Sequence, residues 1–384
     1  MISRVIAWSA RNLLLVLFGA GFATAAGIYA LIHLPLDAIP DLSDTQVIIY
    51  TEDPGQAPQV IEDQVTYPLA TAMLTVPKSK VVRGFSFFGV SFVYVIFEDG
   101  TDIYWARSRV LEFLNSASSR LPAGVAPTIG PDATGVGWVY QYAVVSKKLN
   151  LADTRTIQDW NLKFALAKAE GVAEVASVGG FVKQYNVILD PQRMRNLGIT
   201  TAKIRDAVRA SNADVGGRTV ELSEFEYVIR GKGYLKSIND LGNIVLKNDG
   251  GTPVLLQDVA RVELGPDERR GITELNGEGE VAGGVVLQRF GLNALDVIEN
   301  VKKRFEEIAS SLPKSVEIVP VYDRSSLIYA AIDTLRHTLV EESLVVALVC
   351  VIFLLHVRSA LVAILMLPVG VLMAFGAMKL LGIG

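Results

Sequence analysis

Few side chains in this 384-residue sequence have the type and spacing to do chemistry, and carboxylates make up most of them. Asp37, Asp41 and Asp44 follow one another closely, and Asp267-Glu268 stand just before Arg269-Arg270. On an exposed surface such groups bind a divalent metal, or they form a solvated face with local ion pairs. Glu341 and Glu342 open an apolar run, where an ionisable group is costly and often functional unless it snorkels to the edge. Met366 and Met373 lie seven apart on one helical face, with Met378 beyond them. Their thioethers suit Cu(I), although methionine is also ordinary in lipid-facing helices. The three histidines, His33, His337 and His356, each sit at the edge of an apolar stretch with no carboxylate or cysteine at metal-ligand spacing, so they read as interfacial side chains. The glycines of Val178-Gly179-Gly180 and Leu275-Asn276-Gly277-Glu278-Gly279 precede no Lys-Ser/Thr and occur in a β context, so they read as turns and not as phosphate loops. No nucleophile, base or metal triad has a usable spacing. The chain is not read as an enzyme and no cofactor is expected.

The elements that must position these groups are set by hydropathy. Leu13 to Ile32 carries no charge over twenty residues, enough at 1.5 Å per residue to cross roughly 30 Å of hydrocarbon. Arg4 and Arg11 precede it and place the N-terminus in the cytoplasm. The run leads into His33-Leu34-Pro35-Leu36-Asp37 and not into a small-residue cleavage site, so it reads as a retained anchor. Leu339 to Leu355 and Ala360 to Met378 are two further apolar runs, separated by His356-Val357-Arg358-Ser359. A turn that short predicts a helical hairpin with its basic loop on the cytoplasmic side. The large region between the first and second spans is then exported. Mean hydropathy of +0.37 and 51% hydrophobic residues are high for a soluble protein, and the excess sits in the three spans. The net charge of −4, with no Lys/Arg cluster, excludes a nucleic-acid footprint. The single cysteine, Cys350, lies inside the second span, so the exported part must be stable without disulfides.

Within the exported part, strands and helices alternate. Gln46 to Thr51 reads as a strand, and Ile61, Val65, Leu69, Ala72 and Val76 line one helical face that Pro68 is expected to kink. Lys80 to Phe87 and Ser91 to Phe97 follow as strands about a turn at Gly89. A helix then has Ala106, Val110, Phe113, Ala117 and Leu121 on one side. With Val136 to Val145 as a further strand, the order fits a split βαβ, ferredoxin-like layer. Val81 to Asp99 overlays Val172 to Asp190 at a shift of 91, which predicts a second copy with an equivalent hairpin. Ile298, Val301, Phe305, Ile308 and Leu312 would form the helix that closes it. Residues 191 to 271 are left over as an inserted, hairpin-rich module with glycine pairs Gly216-Gly217 and Gly250-Gly251.

Several phrases look familiar. Leu34-Pro35-Leu36-Asp37-Ala38-Ile39-Pro40-Asp41, Pro54-Gly55-Gln56-Ala57-Pro58, Val65-Thr66-Tyr67-Pro68-Leu69, Phe97-Glu98-Asp99-Gly100-Thr101-Asp102 and Gly271-Ile272-Thr273-Glu274-Leu275-Asn276-Gly277 resemble the heavy-metal efflux branch of the resistance-nodulation-division (RND) pumps. The resemblance runs from end to end. At Pro131-Asp132-Ala133-Thr134-Gly135-Val136-Gly137-Trp138 it leans to the copper and silver pumps. It implies an α+β membrane protein of three transmembrane helices and a periplasmic region of two ferredoxin-like (βαββαβ) porter subdomains with an inserted docking module. On that reading 1–33 is the N-terminus and first span, and 34–135 the first porter subdomain. The second porter subdomain is 136–190 with 272–325, the docking module is 191–271, and the second and third spans are 335–356 and 359–384.

The resemblance further implies a multi-pass protein of the Gram-negative inner membrane. Its full-length form would be a homotrimer that exchanges protons for a metal cation and works with a periplasmic adaptor protein and an outer-membrane channel. The family's proton-relaying aspartates lie in a fourth helix, so this chain alone is not expected to pump. The family's copper branch has a methionine two residues after Gly265-Pro266, where this chain has Glu268. Glu268 is therefore the candidate metal residue. A carboxylate is a harder ligand than a thioether, which keeps a zinc, cobalt or cadmium pump open beside copper and silver. A drug-exporting RND pump is a nearer competitor than a membrane-anchored periplasmic binding or sensor module, which would need an output domain where only four residues separate the last two spans.

Overall fold

The computed structural model describes residues 2–34, 37, 39, 41–267, 269, 271–354 and 357–381. In chain order it begins with α1 (Ile2–Arg11), α2 (Leu13–His33), β1 (Gln46–Glu52), α3 (Pro58–Ile61) and α4 (Tyr67–Met73). There follow β2 (Ser79–Phe87), β3 (Val90–Phe97), α5 (Ile103–Ser118), β4 (Pro127–Ile129), β5 (Trp138–Ser146), α6 (Leu151–Ile157), α7 (Lys163–Leu166) and β6 (Val172–Gly179). Next are β7 (Lys183–Leu189), α8 (Pro191–Leu197), α9 (Thr201–Ser211), β8 (Val215–Leu222), β9 (Phe225–Gly231), α10 (Ile238–Gly242), β10 (Val245–Asp249), β11 (Thr252–Leu255), α11 (Leu256–Val259) and β12 (Ala260–Pro266). The chain ends with β13 (Ala282–Gln288), α12 (Ala294–Ala309), β14 (Val316–Asp323), α13 (Arg324–Leu354) and α14 (Val357–Leu381). Two compact units result. The larger comprises the chain up to Val145, Asp159–Val178 and Gly283 onward, and the smaller comprises Ser146–Gln158 and Gly179–Ala282.

The larger unit contains two sheets of one design. In the first, the order is β2-β3-β1-β4. β1 pairs antiparallel with β3, Ile49 opposite Val93, and with β4, Ile49 opposite Ile129. Alternation sets its faces: Val47, Ile49, Val93, Val95 and Phe97 point inward, onto Ile61, Val65, Leu69 and Met73 of the first helical segment and Ala106, Val110 and Leu114 of α5. Asp102 caps α5 by accepting from the Trp105 N–H at 2.7 Å. The fourth strand is β4. Val136–Val145, read from the sequence both as a further strand of this layer and as the place where the second copy begins, supplies β5 of the second sheet, whose order is β14-β5-β13-β6. Relabelled within each copy, both orders read 4-1-3-2.

Pro68 does not break its helix. A π-helical turn, Glu62–Thr66, precedes it and the helix continues as α4; the wider turn absorbs the ring that would otherwise collide with the preceding carbonyl.

The expected hairpin over Val172–Asp190 is not formed. β6 lies in the second four-stranded sheet beside β13, whereas β7 pairs with β12, Leu189 opposite Ala260 and Lys183 opposite Pro266. The 91-residue shift therefore matches β2 with β6 but fails for β3, whose counterpart is β13. The reason lies at Gly179 and Gly180, both at positive φ (63° and 62°), where the chain leaves the sheet after β6.

In the smaller unit, Met194, Ile199, Ile204, Leu241, Leu246, Leu256 and Val259 form a core of its own. β8 and β9 pair with each other and are exposed along their whole length. Gly216 and Gly217 sit in β8 beside a register shift, and only Gly250-Gly251 makes a turn at positive φ.

Among the described residues, α2 and Ile364–Leu381 of α14 are long and apolar enough to cross a membrane by length and composition. They pack on each other, and at Gly27 a Cβ would run into the Leu372 carbonyl, so glycine sets the approach. α13 also packs on α14.

Candidate functional site

Four of the expected site groups are placed, and none of their His, Asp or Glu side chains forms a metal-holding cluster among the described residues. His33 Nδ1 lies 2.8 Å from the Tyr29 carbonyl, with the two rings 4.1 Å apart. His337 stands 3.9 Å from Glu341 one helical turn on. Met366 and Met373 are both more than half exposed on α14. Asp37, Asp41 and Asp44 do not converge: Asp41 accepts from Thr134 Oγ1 at 2.8 Å, and Asp37 pairs with Arg324 at 3.1 Å. Glu268 and His356 lie outside the described residues. Next to Glu268, Asp267 donates its N–H to the Val182 carbonyl at 3.0 Å and Arg269 pairs with Glu280. Among the described residues, no group of three or more His, Cys, Asp or Glu is placed to hold a metal ion.

What the structure does bring together, in the larger unit, is the loop Pro131–Trp138 between the two sheets and the groups that fix it. Asp132 accepts from Tyr104 Oη at 3.1 Å and stands 3.8 Å from Arg289, while the Phe290 N–H reaches the Asp132 carbonyl at 2.9 Å. Thr134 is held by Asp41, and the Gly137 carbonyl accepts from Gln288 N at 2.8 Å. Burial, then the bond to Asp132 and its charge, push the Tyr104 hydroxyl above its ordinary pKa. Val136 offers its carbonyl to the guanidinium of Arg324.

Arg324 is the residue that the sequence did not single out. It is 3% exposed, the first residue of α13, and β14 runs into that helix with no connecting residue. One nitrogen meets Asp37 and another meets Val136 O, while its Nε is buried without a partner. Beside it, Asp323 takes Lys302 Nζ at 2.6 Å and both the N–H (2.9 Å) and hydroxyl (2.6 Å) of Ser325. Burial opposes the Asp323 charge, but the Lys302 and Ser325 bonds outweigh it and hold its carboxyl below the usual carboxylate range. Glu299 of α12 accepts from Tyr329 at 3.1 Å one turn further along α13. A signal was present: Asp-Arg-Ser at the join of a strand and a long apolar helix is a costly place to bury a guanidinium.

A groove of about 240 Å³ between α7 and α12, edged by Trp160, Phe164, Lys168, Arg304, Ile308 and Leu312, is below the common size of a small-molecule pocket. The charged groups of the loop and of the α13 start are matched to protein partners. They suit holding crossings of the chain in register better than making or breaking bonds.

The sequence profile of the AcrB/AcrD/AcrF family matches residues 6–384. The cation efflux system protein CusA of Escherichia coli (strain K12) is 58% identical over 386 residues, covering 100% of this chain and 37% of the relative. The putative cation efflux system protein SilA of Salmonella typhimurium is 56% identical over the same coverage. The cobalt-zinc-cadmium resistance protein CzcA of Cupriavidus metallidurans is 34% identical, covering 98% of this chain and 36% of that protein. A crystal structure of a heavy metal efflux pump superposes with a TM-score of 0.88 at 33% identity, over 97% of this chain and 38% of that one. The chain thus spans little more than a third of the curated relatives it matches.

Proposed function

The chain belongs to the AcrB/AcrD/AcrF family, in its heavy-metal efflux branch, and on that premise we propose that it is the N-terminal part of a proton-driven exporter of a heavy-metal cation. The observation that carries the reading is the gap in identity. Over essentially the whole chain it is 58% and 56% to the two cation efflux proteins but 34% to the cobalt-zinc-cadmium protein. With the Pro131–Trp138 stretch, that gap favours copper or silver as cargo. Zinc, cobalt or cadmium is the second reading, favoured by the carboxylate of Glu268 if that residue lies on the metal's route.

The finer architecture follows from the same premise. The two 4-1-3-2 sheets with their helices are ferredoxin-like porter subdomains, and the inserted stretch 191–271, which lies in the smaller unit, is the docking module. α2, the latter part of α13 and α14 are three spans in the inner membrane. Support for lipid contact is the outer face of α2, where Leu14, Phe18 and Phe22 are each exposed by more than 70%. Support for a homotrimer is the β8–β9 hairpin: Val215, Leu222, Phe225 and Val228 are all exposed by 60% or more, and a lone two-stranded hairpin is marginal in water. A neighbouring subunit would cover it. A periplasmic adaptor and an outer-membrane channel complete the assembly.

The test is metal tolerance of cells stripped of their own exporters and supplied with the full-length protein, its adaptor and channel. Growth is expected on silver and copper at concentrations that arrest the control, with little gain on zinc. Gain on zinc alone would move the cargo to the second reading, and Glu268→Met should then shift tolerance toward silver. Gain on no metal would overturn the exporter.

A further inference from the structure

In the larger unit the polypeptide crosses between regions at three places: leaving α2 toward β1, passing from the first sheet to the second, and passing from β14 into α13. Each crossing ends on the same side chain. Asp37 of the first reaches the Arg324 guanidinium at 3.1 Å, Val136 of the second gives it a backbone carbonyl, and Arg324 is itself the first residue of the third. The planar fork of an arginine can serve two acceptors in fixed directions, which a lysine cannot. The join behind it is stiff. Asp323 is locked by Lys302 of α12 and by Ser325, and Tyr329 is tied to Glu299 of the same helix, so the start of α13 moves with the second sheet's helical layer.

A guanidinium that is 3% exposed and still has an unpartnered Nε is an expensive way to hold a surface loop. We propose that Arg324 is a positioning residue for export, the pin through which displacement of the membrane helices is transmitted to the Pro131–Trp138 loop and the second subdomain. The inference rests on the exporter reading. It requires the pin to act on the rate of the cycle and not on the affinity for the metal, because Asp37 is paired with Arg324 and, among the described residues, stands in no group placed to hold a metal ion.

The experiment uses the full-length protein in everted membrane vesicles loaded by silver or zinc uptake. Asp37→Asn keeps the shape and removes the charge. Its maximal rate should fall about tenfold with the half-saturating metal concentration unchanged, and Asp37→Glu should recover most of the rate. A rate for Asp37→Asn within about twofold of the parent, a change in half-saturation that accounts for the loss, or an Asp37→Glu variant as slow as Asp37→Asn would each overturn the pin. Arg324→Lys, a second variant should Asp37→Asn fail to accumulate, keeps the charge but not the fork, and should again be slow at unchanged half-saturation. Amide exchange of the purified full-length protein is read in parallel. In either variant, peptides covering 131–138 should exchange faster while those of β1 and β3 do not. Unchanged exchange at 131–138 overturns the pin even if vesicles of the parent protein export neither ion, an outcome that would sink the exporter reading separately.

Discussion

The two sheets of the larger unit share an order and differ in two ways, in one connection and in the make-up of the core. The first closes its second and third strands through a tight turn at Phe88-Gly89, with Gly89 at φ 70°. The second opens the same connection and sends the chain through Gly180 to Val281 before β13 returns to lie beside β6. The free-energy cost of a longer loop rises only with the logarithm of its length, so a hairpin turn whose strands are already held by the ladder is where a fold tolerates an insertion. The cores differ as well. The first is mostly aliphatic, Val47, Ile49, Val93 and Val95 against Val110 and Leu114. The second places Tyr142 edge-on to Phe305, centroids 5.0 Å apart, over Gly284. The same order of strands is thus reached with two different volume distributions, an aromatic ring seated on a glycine in one and mainly Val, Ile and Leu packed around Phe97 and Ala106 in the other.

That contrast gives the largest expected effect. A Cβ at Gly284 would collide with the Tyr142 ring, so Gly284→Val should destabilise the protein by about 3 kcal/mol, and Tyr142→Ala, which empties a buried site, by about 3–5 kcal/mol. In the double variant the valine occupies space the ring has vacated. The losses should then fall short of additivity by about 1–3 kcal/mol, read from thermal unfolding of the purified protein. Simple additivity would mean that the two positions do not share one volume and that the cores differ for another reason.

Next in size is the π turn, which both copies carry in the same connection, at Glu62–Thr66 and Gln158–Leu162. Proline accounts for the first alone, since none follows the second. Both turns do hold a buried polar side chain. Thr66 Oγ1 lies 2.8 Å from both Ser91 Oγ and Ser86 Oγ, and Gln158 is fully buried. Thr66→Val is nearly the same shape and strands the Ser91 hydroxyl, so it should cost about 1–3 kcal/mol. A cost near zero, with Pro68→Ala removing the π turn, would return the explanation to the proline. At the closed turn, Gly89→Ala should cost about 1–2 kcal/mol for the left-handed backbone, because its Cβ would also sit 3.3 Å from the Pro54 Cα.

Legibility followed the range of the interaction. Period-two alternation in Val90–Phe97 and helical spacing in Ile103–Ser118 are local signals, and both elements formed where they were expected. The partner of β6 was not legible, because Val172–Gly179 and Lys183–Leu189 read as a hairpin by every local rule. The choice of β13 over β7 is made by a strand about a hundred residues away. The loop at Pro131–Trp138 stood out through its resemblance to relatives. Arg324 did not stand out, since its burial depends on Asp37 and Val136, which lie far away in sequence. Glu268 drew attention as a departure from a family pattern and lies outside the described residues.

The smallest effect separates the last strands of the two copies. β4 ends at Ile129 and runs on as a loop, whereas β14 ends at Asp323 and becomes a helix directly. The Asp323 carboxylate is what starts that helix, accepting the Ser325 N–H and facing Lys302. Because its folded pKa is held below the ordinary value, the ionised form is favoured by folding. The contribution is then fully present above the unfolded pKa of about 3.9 and disappears as the pH falls through the lower folded value. Asp323→Asn should therefore leave the protein slightly less stable at pH 7, by under about 1 kcal/mol because both partners are partly exposed. The gap between the two proteins should hold down to about pH 4 and close below it. Thermal scans of both proteins from neutral pH to about pH 3 give the comparison. A gap that persists at the acid end would show that the Asp323 side chain acts through its shape and hydrogen bonds, which asparagine reproduces only in part, and that its charge has no share in joining strand to helix.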